Sequence, residues 1–216
     1  LDCSDKSRIA QFKKFPKVDK IINIDHHQDN TNFGDINLVE NISSVGELLF
    51  NCFKTLNINI SKSTAANLFA AISFDTGSFQ FSNTTDETFK AAAELKKTGI
   101  NITKISELIF ENKEKNYFED IKMGLNNVYI DDNHPFLLVN IPFHDHFSKI
   151  STINFFRQYK DIELVIVCKE VKQNEFKLSF RSKQFIDVSK IAKNFNGGGH
   201  KKAAGGYIKK EKEKLH

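Results

Sequence analysis

Asp25, His26 and His27, in "VDKIINIDHHQDN", place a carboxylate and two imidazoles directly after a short Ile-rich run. Oxygen and imidazole donors together suit divalent ions of the Mn2+ or Zn2+ kind. Taken alone, such a triplet is more often an ordinary polar turn. Two distant acids change the weighing. Asp2 sits in "LDCSD", and Asp75 closes the apolar stretch of "SFDTGSF", where Thr76 and Gly77 promise a sharp turn. Carboxylates converging from three element ends would suit a hydrolase with two metal ions about 3.5–4 Å apart, which share a bridging carboxylate and activate water. Near the other end, "GGGHKKAAGG" poses a different question. Gly197, Gly198 and Gly199 have no side chains, yet His200, Lys201 and Lys202 follow at once. The run is either a hinge or a pocket made of backbone.

These residues need elements to position them. Val18 to Ile24 reads as a short buried strand, and ligands of parallel α/β sheets gather at the carboxyl ends of such strands. "ISSVGELLFNCF" reads as a helix with a capping box from Ser44 to Glu47. "SKSTAANLFAAISF" repeats that grammar, with Ala65, Leu68, Phe69 and Ile72 at helical spacing. Thr84 and Glu87 are expected to cap a third helix that stops at Gly99. Strand and helix alternate, so residues 1–100 are expected to form an α/β domain with a parallel sheet. Residues 101–127 read as a helical linker. Beyond it "PFLLVNI", "IELVIVCKEV" and "EFKLSFRS" read as strands, the last two joined as a hairpin. Phe176, Leu178 and Phe180 alternate with Lys177, Ser179 and Arg181, so Arg181 stands on the face opposite the phenylalanines. "DVSKIAKNF" reads as a closing helix in a second, smaller α/β domain spanning 128–216.

Composition narrows the class. The chain has 216 residues, 40% hydrophobic and 27% charged, with a net charge of +4, which fits a globular protein with a mild preference for anionic partners. No apolar run reaches the roughly 18 residues that span a bilayer, so no membrane partner is expected. Cys3, Cys52 and Cys168 form no CxxC pattern, which argues against a disulfide scaffold or structural zinc and fits a reducing cytoplasm. His144, Asp145 and His146, in "PFHDHFSK", read as a surface loop, and "KKEKEKLH" as a solvated end.

In order and spacing, "LDCSDKSR", "IDHH" and "FDTGSF" resemble the second, third and fourth motifs of the DHH phosphoesterases, the RecJ-like family. "LSFRSKQFIDVSKIAKNFNGGGHKKAAGG" resembles the signature of the family's DHH-associated C-terminal domain. The subgroup it looks most like is that of the nanoRNases, which are also phosphatases of 3'-phosphoadenosine 5'-phosphate. The resemblance implies a two-metal phosphoesterase, with Mn2+ preferred and Mg2+ the alternative. Asp2 would bridge the metals, with His26 and Asp75 as further ligands. Asp25 and His27 would orient those ligands or face substrate, and His27 would protonate the leaving oxygen or stabilise the developing charge. Arg181, Gly197, Gly198, Gly199 and His200 would grip a phosphate, with "HKKAAGG" opening a short helix over it. Short RNA, dinucleotides and 3'-phosphoadenosine 5'-phosphate are the substrates implied, and a homodimer is compatible with the sequence. The alternatives are hydrolysis of cyclic dinucleotides or their linear products, and a nucleotide-binding module without catalysis. The family's first motif, H-x-x-x-D-x-D, has no counterpart in residues 1–24. The expectation is therefore a natural protein that extends upstream, and a 216-residue chain inactive by itself.

Overall fold

The computed structural model describes residues 1–6, 9, 18–145, 148 and 151–210. His146 and the end of the charged tail, residues 211–216, lie outside the described residues. The chain is a mixed α/β protein that divides into two compact units, Leu1–Asn112 and Lys113–His216.

In the first unit, β1 (Ile22–Asp25) pairs in parallel with β2 (Ile36–Val39), Ile22 opposite Ile36 and Asp25 opposite Val39. This corrects the expected apolar strand from Val18 to Ile24. The strand has four residues, Ile22 is 59% exposed, and its buried positions are Asn23 and Asp25. Burial of these polar groups is tolerated because they are hydrogen-bonded. Asn23 Nδ2 donates to the Cys3 carbonyl at 2.9 Å, and Asn23 Oδ1 accepts from Asn30 at 3.2 Å.

Three helices follow: α1 (Val45–Thr55), α2 (Lys62–Asp75) and α3 (Asp86–Lys97). Ser44 caps α1 by accepting from the Glu47 amide, but the Glu47 carboxylate does not return the bond. It turns inward, accepting from Ser43 Oγ and from Thr88 Oγ1. Half of the expected capping box is therefore spent on tying α1 to α3. Helix α3 is capped one residue later than expected, by Thr85 and Thr88 reciprocally, while Glu87 pairs with Lys90 on the surface at 2.6 Å. Leu68, Phe69 and Ile72 of α2 pack with Phe50, Ala91 and Leu95 as the core of this unit. Fully burying each such large side chain stabilises by about 1.5–3 kcal/mol. After Gly99 the chain forms α4 (Ile102–Ser106), which widens into a π-helical turn, Glu107–Glu111.

The second unit begins with α5 (Lys115–Asn126), so the helical stretch read over 101–127 is shared between the units. Its strands are β3 (Val128–Ile130), β4 (Phe136–Ile141), β5 (Leu164–Lys172), β6 (Glu175–Ser182), β7 (Gly198–His200) and β8 (Ala203–Lys209). They form one sheet in the order β3-β4-β5-β6-β8-β7, antiparallel except between β4 and β5, which the crossover carrying α6 (Ile153–Phe156) joins. Both faces are covered. Val139, Val165 and Val167 pack with Ile153 and Phe156 on one face, and Leu178, Phe180 and Ala204 pack with Val188 and Ala192 of α7 (Val188–Lys193) on the other.

The expected helix after "GGGH" is absent. Lys201 and Lys202 form the turn of a hairpin, and Ala203–Lys209 pair along β6. A Cβ on Gly197 would sit 1.9 Å from the Gly205 carbonyl oxygen, so this glycine admits a close backbone approach no other residue allows. Small residues on both chains favour strand pairing over a helical turn here.

Glu163, 6% exposed, holds the loop after β6 to the start of β5. Its carboxylate accepts the amides of Gln184, Phe185 and Ile186 at 2.8–3.0 Å. Burial pushes this carboxyl up, but those amides outweigh it and hold it below its ordinary 4.5. A depressed folded value contributes stability that is fully present above the unfolded value and is lost as pH falls through the folded one. Glu163→Ala should lower stability by about 1–3 kcal/mol, the cost of stranding buried donors, seen as an earlier urea midpoint at pH 7. The gap between variant and parent should close as pH is lowered below 4.5.

Candidate active site

The carboxyl end of β1 delivers Asp25 and then, just past the strand, His26 and His27. Asp2 reaches the same edge because its amide donates to the Ile24 carbonyl at 2.9 Å, with a left-handed φ of 55°. Asp75 is the last residue of α2. The chain turns away at once through Gly77, Ser78 and Phe79, three consecutive left-handed residues with φ of 57°, 60° and 63°. A left-handed conformation costs a residue with a side chain roughly 1–2 kcal/mol, and local contacts hold it here. Thr76 Oγ1 donates to the Ile72 carbonyl at 2.6 Å and accepts the Phe79 amide at 3.0 Å. A Cβ on Gly77 would lie 2.4 Å from the Phe81 ring.

Asp2, His26 and Asp75 meet at one point. His26 Nε2 lies 3.4 Å from Asp2 Oδ1 and 3.7 Å from Asp75 Oδ2, and one donor atom from each falls within 4.8 Å of the others. His26 is buried, with its Nδ1 3.2 Å from the Ile42 carbonyl. A carbonyl only accepts, so Nδ1 carries a proton, and Nε2, the nitrogen on the side of the two carboxylates, is the one that a cation would take in place of its proton. The set therefore fits a divalent cation: two oxygens and one correctly oriented imidazole nitrogen.

Asp25 and His27 are arranged differently. Asp25 is fully buried, and its two oxygens are taken by His27 Nδ1 at 2.7 Å and by Asn30 Nδ2. His27 Nδ1 is also 3.8 Å from Asp2 Oδ1. An open cavity of about 430 Å³ runs from His26 and His27 along the amides of Gln28, Asn30, Asn32 and Asn41.

The charges settle accordingly. A hydrogen bond from His26 holds Asp2 below the usual carboxylate range. Burial pushes Asp25 up, but His27 and Asn30 outweigh it and leave it lowered. Burial likewise pulls His26 down, and its bonds to Asp2 and Ile42 and the charge of Asp75 raise it above its ordinary value. Asp75 is pushed up to about 6, chiefly by burial.

In the second unit, register assembles a different group. Arg181 of β6 lies opposite Ala203 of β8, and Ala203 opposite His200 of β7. Directly opposed residues of antiparallel strands point to the same face. Arg181 and His200 thus flank a small alanine on a trough of the sheet, whose other face carries Phe180, Ala204 and Gly199. Gly197 and Gly198 lead into the same edge strand. Burial, and then the charge of Arg157 at the end of α6, lower Arg181 to about 10, so it stays charged at neutral pH. Its guanidinium donates to the Phe180 carbonyl at 2.9 Å, and among the described residues no carboxylate pairs with it within 4 Å.

Sequence reasoning missed Asn30, the Ile42 carbonyl and Arg157. Only Arg157 carries a chemical signal, its charge; the other two are legible from the fold alone. It also placed His144 in a free surface loop, whereas His144 Nε2 lies 2.7 Å from the fully buried Asp120, which Lys169 also contacts. Asp145 is exposed.

Residues 142–215 match the model of the DHHA1 domain. Over 212 residues the chain is 26% identical to the bifunctional oligoribonuclease and PAP phosphatase NrnA of Thermus thermophilus, an alignment that covers 97% of this chain and 64% of that protein. To the protein of the same name from Bacillus subtilis it is 27% identical over 227 residues, covering 96% and 68%. The chain thus spans about two thirds of the length of these curated relatives. In fold it resembles the crystal structure of an exopolyphosphatase-related protein from Bacteroides fragilis, with a TM-score of 0.77 at 24% identity over 86% of this chain and 57% of that one. A DHHA1 match over its C-terminal third and relatives that run along its length make the chain similar to the DHH-family, nanoRNase-like proteins.

Proposed function

We propose that this chain carries the ligands and substrate contacts of a metal-dependent phosphoesterase acting on very short oligoribonucleotides and on 3'-phosphoadenosine 5'-phosphate. The observation that carries the reading is the meeting of Asp2 and Asp75 on the Nε2 of a His26 whose Nδ1 is committed to a backbone carbonyl. Mn2+ suits this mixed oxygen and nitrogen set, with Mg2+ the alternative. When bound, such an ion polarises a phosphoryl oxygen and makes water a nucleophile near neutral pH. The substrates are those of the Thermus thermophilus and Bacillus subtilis relatives, named as oligoribonucleases and PAP phosphatases.

The chain's own residues then divide the work. Asp2, His26 and Asp75 hold the cation. Asp25 keeps the proton of His27 on Nδ1, so Nε2 is the nitrogen that exchanges a proton with the leaving oxygen. Arg181 offers a guanidinium that no carboxylate of the described residues pairs with, suited to a bidentate grip on phosphate. His200 and the backbone of Gly197, Gly198 and Gly199 complete that grip.

Expressed from its complete reading frame and supplied with Mn2+, the protein should hydrolyse a diadenylate and release phosphate from 3'-phosphoadenosine 5'-phosphate. Tight binding of both without turnover would favour a nucleotide-binding module instead. Asp75→Asn should weaken Mn2+ binding roughly tenfold or more, since even partners of the ligands are worth 10–100-fold; calorimetric titration checks this. Arg181→Ala should raise KM by roughly 10–100-fold, the worth of a charged hydrogen bond, with bound metal unchanged. Loss of metal in that variant would overturn the assignment of Arg181 to substrate.

A further inference from the structure

Two of the three converging residues are tied to one dipeptide, His26 directly and Asp75 through Asn83. Ile42 accepts from the ring of His26, and the carbonyl of the next residue, Ser43, accepts from Asn83 Nδ2 at 3.0 Å. The same Nδ2 donates to the carbonyl of Asp75 at 3.1 Å. Asn83 therefore spans from the dipeptide that orients His26 to the backbone of Asp75. Its amide can point only this way, because the reverse orientation would set Oδ1 against two carbonyl oxygens. Oδ1 is itself buried and accepts no hydrogen bond from the described residues. Both protons of one nitrogen are thus committed to the bridge.

The dipeptide is a firm anchor. Ser43 is 2% exposed, and its hydroxyl donates to the buried carboxylate of Glu47, which Thr88 also reaches at 2.7 Å. Ser43 is thereby fixed to α1 and α3 before Asn83 touches it. Asp75 needs such a tie, since it ends its helix and precedes the three left-handed residues. Asn83 supplies a donor to the carbonyl of this last helical residue.

We propose that Asn83 is a positioning residue that sets the separation of His26 and Asp75 through the Ile42–Ser43 backbone, and so sets the affinity of the site for a divalent cation. The affinity part rests on the metal-centre reading above; the separation part does not. Asn83→Ala removes both donors and Asn83→Ser restores one hydroxyl donor. In metal-free crystals of N83A, the distance from His26 Nε2 to Asp75 Oδ2, 3.7 Å in the parent, should widen beyond coordinate error, and N83S should recover part of the change. Mn2+ affinity, followed by the electron paramagnetic resonance of the free ion, should fall roughly 10–100-fold in N83A, while the melting temperature moves by only a few degrees. An unchanged distance in folded N83A would overturn the proposal, as would unchanged Mn2+ affinity where the parent binds the ion. Failure of both variants to fold would also overturn it, because Asn83 would then serve the fold and not the site. A parent protein that binds no Mn2+ would sink the metal-centre reading, and the distance would then decide the role of Asn83.

Discussion

An imidazole has two nitrogens, and a cation can take only one whose lone pair is not already covered by a proton. The bond between His26 Nδ1 and the Ile42 carbonyl settles which one that is. Without it the ring could rotate, and Nε2 would no longer be the nitrogen held between Asp2 and Asp75. The bond itself depends on geometry at the carboxyl end of β1. Parallel pairing with β2 brings the segment after Val39 back beside His26, and the Glu40 amide donates to the Asp25 carbonyl at 3.2 Å. The polar interior of β1 follows from the same need. Asn23 and Asp25 occupy positions that an apolar residue would fill in a purely structural strand, and each accepts a hydrogen bond from the Asn30 amide.

The second unit reaches its chemistry by register rather than by loops. A shift of one residue between β6 and β8 would send Arg181 to the face where Phe180 is buried. That slip is opposed by the apolar residues of both faces, since Val165 opposes Arg181 while Ile166 opposes Phe180. Packing of the core and orientation of the guanidinium are therefore one constraint. The desolvation that lowers Arg181 is tolerable because a guanidinium keeps its charge far above neutral pH.

Much of this is legible in the sequence. Helices α1 and α2 follow from apolar spacing behind Ser44 and Ser61, and the β5–β6 hairpin from alternation around a polar turn. The turn after Asp75 is announced by Thr76 and Gly77. What escapes is set by tertiary partners. Glu47 sits at capping-box spacing, but a buried Thr88 hydroxyl competes for its carboxylate. The glycine run looks like the start of a helix because glycine says nothing about which strand will lie beside it. Its pairing with Ala203–Gly205 is a contact of topology, not of spacing. His144 reads as a loop residue because Asp120 and Lys169, its partners, are far away along the chain. Ile42 has no side-chain chemistry to read at all; its carbonyl matters only once β2 returns beside β1.

The short edge strands of the six-stranded sheet carry a consequence for solubility. Both borders, β3 and β7, are only three residues long, and the longer apolar strands β4, β5 and β6 are enclosed between neighbours. A border of Gly198, Gly199 and His200 offers a passing chain few backbone groups and no hydrophobic side chains to zip against. The glycines that admit a close neighbour on one side thus make the other side a poor template for aggregation.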